Sequence, residues 1–158
     1  MTDHPVSLSG GCQCGAVRFR VGAVGRASIC HCRMCQKAFG SFFGPLVTVS
    51  DLTWTRGRPK RFWSSNLVQR GFCAECGTPL TFEHPAGVEL AIGAFDDPSA
   101  VPPTIQVSRE ERLPFFDGLP GLPLRPGHEA ALFLATVVSR QHPDYDTAIW
   151  PPEEPTDD

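Results

Sequence analysis

The chain has 158 residues, of which 41% are apolar and 20% charged, and its formal net charge is −3. This balance is typical of a globular domain with its own core and excludes a disordered chain. The acidic excess argues against a protein that coats nucleic acid, because such proteins need many cations to contact phosphates.

The chain also lacks the usual targeting and membrane signals. Residues 1–11 are polar, unlike the apolar centre of a signal peptide, and no apolar run approaches the roughly 20 residues that span a bilayer. We therefore expect no membrane partner and a cytoplasmic location, where reducing conditions keep thiols free to bind metal.

Short strands joined by turns are predicted through the first two thirds of the chain, which is rich in alternating apolar and polar residues. The strands are predicted at 16–21, 42–49, 52–56, 61–63, 67–72, 79–83, 88–94 and 104–107. Two of them, 61–63 and 67–72, are expected to form a hairpin around Ser64-Ser65-Asn66. Residues 36–40 predict one helical turn that Gly40 ends. The predicted fold class is mainly β with few short helices.

The pattern loosens after Leu113. Residues 113–120 are apolar and interrupted by prolines, and we expect them to cover a cleft. Residues 129–140 fit either a helix or a strand, because Glu129 and Arg140 suit helix ends whereas Thr136-Val137-Val138 is β-prone. Residues 151–158 are acidic and proline-rich, which predicts a disordered tail.

Seven cysteines form three motifs, and their odd number excludes complete disulfide pairing. The motifs are Cys12-x-Cys14, Cys30-x-Cys32-x-x-Cys35 and Cys73-x-x-Cys76. Clusters of this kind favour metal over disulfides, and thiolates bind zinc at about 2.3 Å. Gly77, after the last cysteine, is expected because a Cβ there would crowd the metal loop.

Spacing alone permits two ways of dividing these sulfurs. In the first, the pairs Cys32/Cys35 and Cys73/Cys76 form one ribbon-type zinc site, and the other three cysteines have no role. In the second, all seven are used. Cys12, Cys14, Cys73 and Cys76 then form a closed structural site that pins the N-terminal strand to the middle hairpin. Cys30, Cys32 and Cys35 form an open site.

Four segments in this order resemble the glutathione-dependent formaldehyde-activating enzyme family, which shares a domain with centromere protein V. They are GGCQCGAVRF, ICHCRMCQKAFG, RGFCAECGTPL and LAIGAFDDPS. The resemblance extends from about Gly10 to about Asp117. It implies an antiparallel β-tent fold stapled by zinc. We expect a zinc domain at 10–125, preceded by an arm at 1–9 and followed by a packed extension at 126–150.

The resemblance also implies two zinc ions per chain. Cys12, Cys14, Cys73 and Cys76 would hold the structural ion, and Cys30, Cys32 and Cys35 the catalytic one. The implied activity is that of a carbon–sulfur lyase, which adds glutathione or a similar thiol to formaldehyde or a related electrophile and gives S-hydroxymethylglutathione. A three-thiolate zinc has a formal charge of −1 and suits this chemistry, because it can hold an incoming thiol as thiolate.

Three alternatives to this interpretation stay open. In the first, His84, His128 or His142 closes the three-cysteine site and makes it structural, whereas His31 is expected to point away and His4 to lie in the N-terminal arm. In the second, the chain is a non-catalytic zinc scaffold that binds another protein. In the third, the three-cysteine site is empty, and its thiols oxidise, for example to a Cys32–Cys35 disulfide.

Several further residues have two interpretations. Arg33 and Lys37 receive the carboxylates of a glutathione-like ligand, or are solvated charges. Phe39, Phe42 and Phe43 wall a pocket or fill the core, and we expect two of the three in the core.

Other polar residues receive a single interpretation. Asp96 and Asp97 are predicted to form a turn before Pro98. Residues 109–112 are predicted to be an exposed run of opposite charges. Ser64 and Ser65 have no recognisable base in the sequence, so neither is predicted to be a nucleophile.

Overall fold

We describe residues 8–151 from a computed structural model of the chain, apart from the side chains of residues 128–130. His4, most of the predicted arm and nearly all of the predicted acidic tail lie outside the described residues, as does the side chain of His128. In the described part of the chain, no helix is long and apolar enough to cross a bilayer.

Residues 8–151 contain ten strands and two α-helices. The strands are β1 (Leu8–Gly11), β2 (Arg18–Val21), β3 (Ala23–Cys30), β4 (Gly44–Ser50), β5 (Thr53–Arg56), β6 (Lys60–Trp63), β7 (Gln69–Phe72), β8 (Pro79–His84), β9 (Gly87–Ala91) and β10 (Ile105–Val107). The helices are α1 (Arg33–Phe39) and α2 (Gly127–Leu134). Short 3-10 helices lie at Ile92–Ala94, Pro98–Ala100, Arg109–Glu111 and Phe116–Gly121. The predicted mainly β class is confirmed.

The strands form two sheets. One has the order β1-β2-β5, and the other has the order β10-β3-β4-β9-β8-β7-β6. Neighbouring strands are antiparallel, as predicted, with one exception: β10 runs parallel to β3, and Val107 pairs with Cys30. Phe19, Val47, Leu80 and Leu90 are fully buried members of the core that the two sheets share. Burial of this apolar surface is the main favourable term in folding.

The predicted hairpin is confirmed, since β6 and β7 pair antiparallel from Lys60–Phe72 to Trp63–Gln69. Gly40 ends α1 in the left-handed conformation, as predicted, but the helix begins earlier, at Arg33. The segment 129–140, predicted as helix or strand, is helical only as far as Leu134, the end of α2, and residues 135–140 form neither helix nor strand. Two strands were missed, β1 and β3, because their sequences LSGG and AVGRASIC carry no apolar alternation.

The C-terminal residues 141–150 return to the three-stranded sheet and pack on the β1–β2 turn. The buried guanidinium of Arg18 on β2 forms a two-pronged ion pair with Asp96 and also bonds the carboxylate of Asp146. The backbone N–H of His142 donates to the Gln13 carbonyl at 2.7 Å, and the Trp150 indole N–H donates to the Cys14 carbonyl at 2.7 Å. Asp96 is therefore more than the predicted turn residue, because it is one of the anchors of this segment.

We expect Arg18→Ala to lower the free energy of unfolding by about 3–5 kcal/mol, because it leaves the Asp96 carboxylate mostly buried without its cation. Arg20→Ala is the matched control on the same strand. Its side chain is 55% exposed and forms an ion pair with the half-exposed Asp146, so the expected loss is below about 1 kcal/mol. Urea unfolding of both metal-loaded variants measures the difference. Equal losses would contradict the buried anchor.

Candidate metal centres and pocket

The first cysteine cluster is built by two turns from different parts of the chain. Cys12 and Cys14 lie in the turn between β1 and β2, and Cys73 and Cys76 in the turn between β7 and β8. In the second turn, the N–H of Gly77 donates to the Cys73 carbonyl at 2.9 Å. Each turn belongs to a different sheet, so this cluster joins the three-stranded sheet to the seven-stranded one.

Gly77 has a different role from the one expected. Its φ is +80°, in the region that favours glycine, whereas a Cβ added there would meet no heavy atom within 4 Å. The expectation that a Cβ would crowd the loop was therefore wrong. The backbone conformation that turns the chain back after Cys76 is what calls for glycine.

The sulfur geometry of this cluster fits a zinc ion. The Sγ atoms of Cys12 and Cys14 are 3.6 Å apart, and those of Cys14 and Cys73 are 3.9 Å apart. Four sulfurs placed tetrahedrally at about 2.3 Å from one ion would be about 3.8 Å from each other. The four cysteines could therefore hold one metal ion with no position left for a further ligand.

Hydrogen bonds prepare one of these thiols to ionise. Burial acts to raise the pKa of the Cys76 thiol, but its hydrogen bonds with Thr78 and Cys14 together outweigh burial and lower the pKa to about 6. Burial raises the pKa of Cys12, Cys14 and Cys73. Crowded like charges oppose one another, so the remaining protons are expected to leave only when a cation enters the cluster.

The second cluster lies where β3 gives way to α1. Cys30 is the last residue of β3, Cys32 is the N-cap of α1, and Cys35 lies in the first turn of the helix. The Cys32 sulfur accepts a hydrogen bond from the Cys35 backbone N–H at 3.4 Å. The ligand atoms of the three residues all lie within 4.8 Å of one another, and the group could hold a metal ion.

The two clusters match the seven-cysteine division and not the single ribbon site. Cys32 and Cys35 lie in one cluster, and Cys73 and Cys76 in the other. Among the described residues, no histidine, cysteine or carboxylate joins Cys30, Cys32 and Cys35 as a fourth member of their group.

None of the histidines whose side chains are described lies with Cys30, Cys32 and Cys35 as a fourth metal ligand. His31 is fully buried and points to Gln106: the His31 Nε2 lies 2.8 Å from the Gln106 Oε1. His84 lies beside Glu89, and His142 contacts Thr147 and the first cluster's turn.

Electrostatics in the second cluster are dominated by the sulfurs themselves and by one arginine. The hydrogen bond from Cys35 lowers the pKa of Cys30 to about 5. The same hydrogen bond, together with burial, raises the pKa of Cys35, while Arg70 acts in the opposite direction. The Arg70 Nη2 donates to the Cys35 Sγ at 3.3 Å.

A pocket of about 200 Å³ opens onto this second cluster. All three cysteines line it, and most of its remaining surface is apolar, from side chains that include Met34, Leu46, Val68 and Phe82. Ser64 from the β6–β7 loop and Arg70 from β7 supply polar groups in its wall. The arrangement exposes sulfur ligands to a small, partly enclosed space, so a molecule the size of a small thiol or aldehyde could reach them.

The two cations considered as ligand contacts, Arg33 and Lys37, lie outside the pocket wall. The Arg33 side chain donates to Gln36 at 2.9 Å, and the Lys37 side chain is exposed. Ser64 and Ser65 do line the pocket, although the sequence indicated no role for them. Arg70 was missed entirely, and only its place beside a CxxC motif could have drawn attention to it.

The aromatic residues after the second cluster pack together outside the pocket. Phe39 packs on the main core, whereas Phe42 and Phe43 meet Phe115 and Phe116 edge to face. The segment 113–120 thus covers His31, Phe42 and Phe43. Contrary to the expectation from the sequence, it does not line the pocket. The predicted turn at Asp97 is confirmed, since Asp97 begins the 3-10 turn Pro98–Ala100.

Two comparisons bear on this arrangement. A family model described as "Glutathione-dependent formaldehyde-activating enzyme" matches residues 7–111, which include both clusters. A solved structure of a protein from Rhodobacter sphaeroides has a TM-score of 0.50 with this chain at 20% sequence identity. The likeness covers 63% of this chain and 99% of that one, and at this identity it shows a shared fold alone.

Proposed function

Since the chain belongs to the glutathione-dependent formaldehyde-activating enzyme family, we propose that it is a zinc-dependent carbon–sulfur lyase that adds glutathione or a similar thiol to formaldehyde or a related aldehyde. The observation that carries the proposal is the three-cysteine cluster at the wall of a small pocket, with no fourth member among the described residues. We place the reaction in the cytoplasm, where glutathione is reduced.

The two clusters have different roles in this proposal. Cys12, Cys14, Cys73 and Cys76 would hold a structural zinc, because four sulfurs leave no position for a further ligand. Cys30, Cys32 and Cys35 would hold a second zinc, and the chemistry that this ion would supply is to keep a thiol as thiolate. The donor set suits this ion, since thiolates are its preferred soft ligands.

The bond changes of the reaction are simple. The substrate sulfur bonds to the carbonyl carbon of the aldehyde, the C=O double bond becomes single, and the former thiol proton ends on the carbonyl oxygen. The chain's own contribution is to orient the two reactants in the pocket and to limit water around them. At about 200 Å³ the pocket holds roughly seven groups of water size, so it encloses the reacting end of glutathione and leaves the rest of the tripeptide outside.

Product formation from formaldehyde and glutathione tests the proposal. We expect the metal-loaded protein to accelerate formation of S-hydroxymethylglutathione above the uncatalysed rate. A mild chelator is expected to stop the acceleration by removing one of two zincs, with the circular dichroism spectrum unchanged. Metal content and product, the latter followed by NMR, are measured on the same sample.

The alternative, a non-catalytic zinc scaffold, predicts a different result. It predicts no acceleration with any small thiol and aldehyde, and unfolding as soon as any zinc is lost. Absence of acceleration in the folded, metal-loaded protein would rule out the proposed reaction, and unfolding at the loss of the first zinc to leave would favour the scaffold.

A further inference from the structure

Arg70 is a buried cation at the second cluster. It lies in the middle of β7 with only 4% of its surface exposed, and it forms part of the pocket wall. Its Nη2 donates to the Cys35 Sγ at 3.3 Å, its Nε donates to the Ser64 Oγ at 2.9 Å, and its guanidinium lies over the Phe82 ring at 4.9 Å. These contacts on three sides fix the guanidinium in one orientation.

The partners of Arg70 differ from those of the other buried arginine. Arg18, which is 3% exposed, forms ion pairs with the carboxylates of Asp96 and Asp146. Among the described side chains, no carboxylate forms an ion pair with Arg70. Glu89 also lines the pocket, but its carboxylate lies beside His84, 3.6 Å from the His84 Nε2. The group able to carry negative charge that Arg70 contacts is the sulfur of Cys35. A buried charge without a counter-charge is strongly unfavourable, so the cluster must provide that charge.

The negative charge of the proposed metal centre provides the counter-charge that no carboxylate provides for Arg70. Three thiolates around one zinc carry a formal charge of −1, which the guanidinium offsets. A substrate thiolate would raise the charge to −2 inside a mostly apolar pocket, where an uncompensated charge is costly. Arg70 is the one arginine whose guanidinium donates to a sulfur of this cluster in the described part of the chain.

We infer that Arg70 is the counter-charge of the three-cysteine centre: it positions the Cys35 sulfur, strengthens metal binding there and favours entry of an anionic thiolate over a neutral ligand. The inference deepens the proposed function and rests on it for the identity of the thiol. A hydrogen bond from a cation to a ligand atom is charge-assisted and directional. Arg70 acts through Cys35, and it is therefore a positioning residue.

Cobalt binding to the full-length protein tests this role without an activity assay. The variant is Arg70→Met, which keeps much of the volume and removes the charge. Co²⁺ affinity at the second cluster is measured by competition with a chelator, using the sulfur-to-cobalt charge-transfer band. We expect an affinity about 10–100-fold lower than in the unaltered protein, the range typical when a partner of a metal ligand is lost.

The response to a small thiol separates the charge effect from a packing effect. With Co²⁺ bound, 2-mercaptoethanol and then imidazole, a neutral ligand, are titrated while the cobalt d–d bands are recorded. We expect Arg70→Met to weaken 2-mercaptoethanol binding about tenfold or more and imidazole binding much less. Arg70→Lys, which keeps the charge, is expected to restore most of the thiol affinity. Equal weakening for both ligands would overturn the inference.

Arg61→Met is the matched control on the neighbouring strand β6. Arg61 pairs with Glu83, does not line the pocket and is expected to leave all three affinities unchanged. If Arg70→Met does not fold, Ser64→Ala takes its place, because it removes the acceptor that orients the Arg70 Nε. We then expect a few-fold loss of Co²⁺ affinity, and an unchanged affinity contradicts the positioning role.

The outcomes also distinguish this inference from the proposed function. If the unaltered protein forms no hydroxymethyl product but Arg70→Met still weakens Co²⁺ and thiol binding selectively, the counter-charge role stands and the reaction fails. If product forms and Arg70→Met binds Co²⁺ and thiol as the unaltered protein does, the reaction stands and the role of Arg70 is overturned.

Discussion

Cys32→Ser is expected to reduce hydroxymethyl product formation at least about 1,000-fold while the protein stays folded. Cys32 is the most suitable of the three cysteines for this test because it is the N-cap of α1, where serine is a favourable residue. The substitution thus removes a sulfur ligand and keeps the hydrogen bond that begins the helix. Cys35, which is almost fully buried, would combine loss of a ligand with loss of packing.

Ala38→Ser provides the control for Cys32→Ser. It places a hydroxyl on the same helix at a residue that neither belongs to the cluster nor lines the pocket, and it is expected to leave the rate unchanged. Rates are measured with formaldehyde and glutathione after both proteins have been loaded with zinc, and thermal unfolding shows that each is folded. An unchanged rate in a folded Cys32→Ser protein would remove the catalytic assignment of this cluster.

Cys73→Ser is expected to prevent cooperative folding altogether. Zinc contributes roughly 10–16 kcal/mol of apparent binding free energy to small zinc peptides, whereas a whole domain is stable by only about 5–15 kcal/mol. The Cys73 sulfur is buried, and its cluster joins the turns of two different sheets. Loss of one ligand would therefore break the connection between the two sheets at the four-cysteine cluster.

The control for Cys73→Ser lies in the same turn. Glu75→Ser changes an exposed side chain between the two cysteines, and we expect its unfolding midpoint to stay close to that of the unaltered protein. Urea unfolding is followed by circular dichroism in the presence of zinc. A cooperative transition of Cys73→Ser near the unaltered midpoint would show that the four-cysteine cluster does not hold the fold together.

Both predictions concern sulfurs that local chain geometry brings together within each motif but does not assign to a cluster. A Cys-x-Cys or Cys-x-x-Cys turn brings its own sulfurs together within a few residues, whatever the rest of the chain does. The division into four and three was one of two possibilities at the level of spacing, and the fold brings the sulfurs together in that division. The matched family region, residues 7–111, spans all three motifs.

The missed strands show where local sequence is not sufficient. β1 contains two adjacent glycines, and β3 mixes small, polar and apolar residues without a period of two. Their strand conformation comes from their neighbours: β1 pairs with β2, and β3 lies between β4 and β10. Cross-strand hydrogen bonds and burial decide such segments, because β-propensity depends strongly on context.

The sequence by itself determined the mainly β class, the hairpin, the end of α1 at Gly40 and the residues available to bind metal. These properties depend on contacts within a few residues, so composition and spacing carry them. Only the tertiary structure decided that Arg70 reaches Cys35, that Arg18 meets Asp146 and that a pocket opens onto the second cluster. The pairs are 35 and 128 residues apart, and pairing at such distances is set by strand order and packing, which no local pattern specifies.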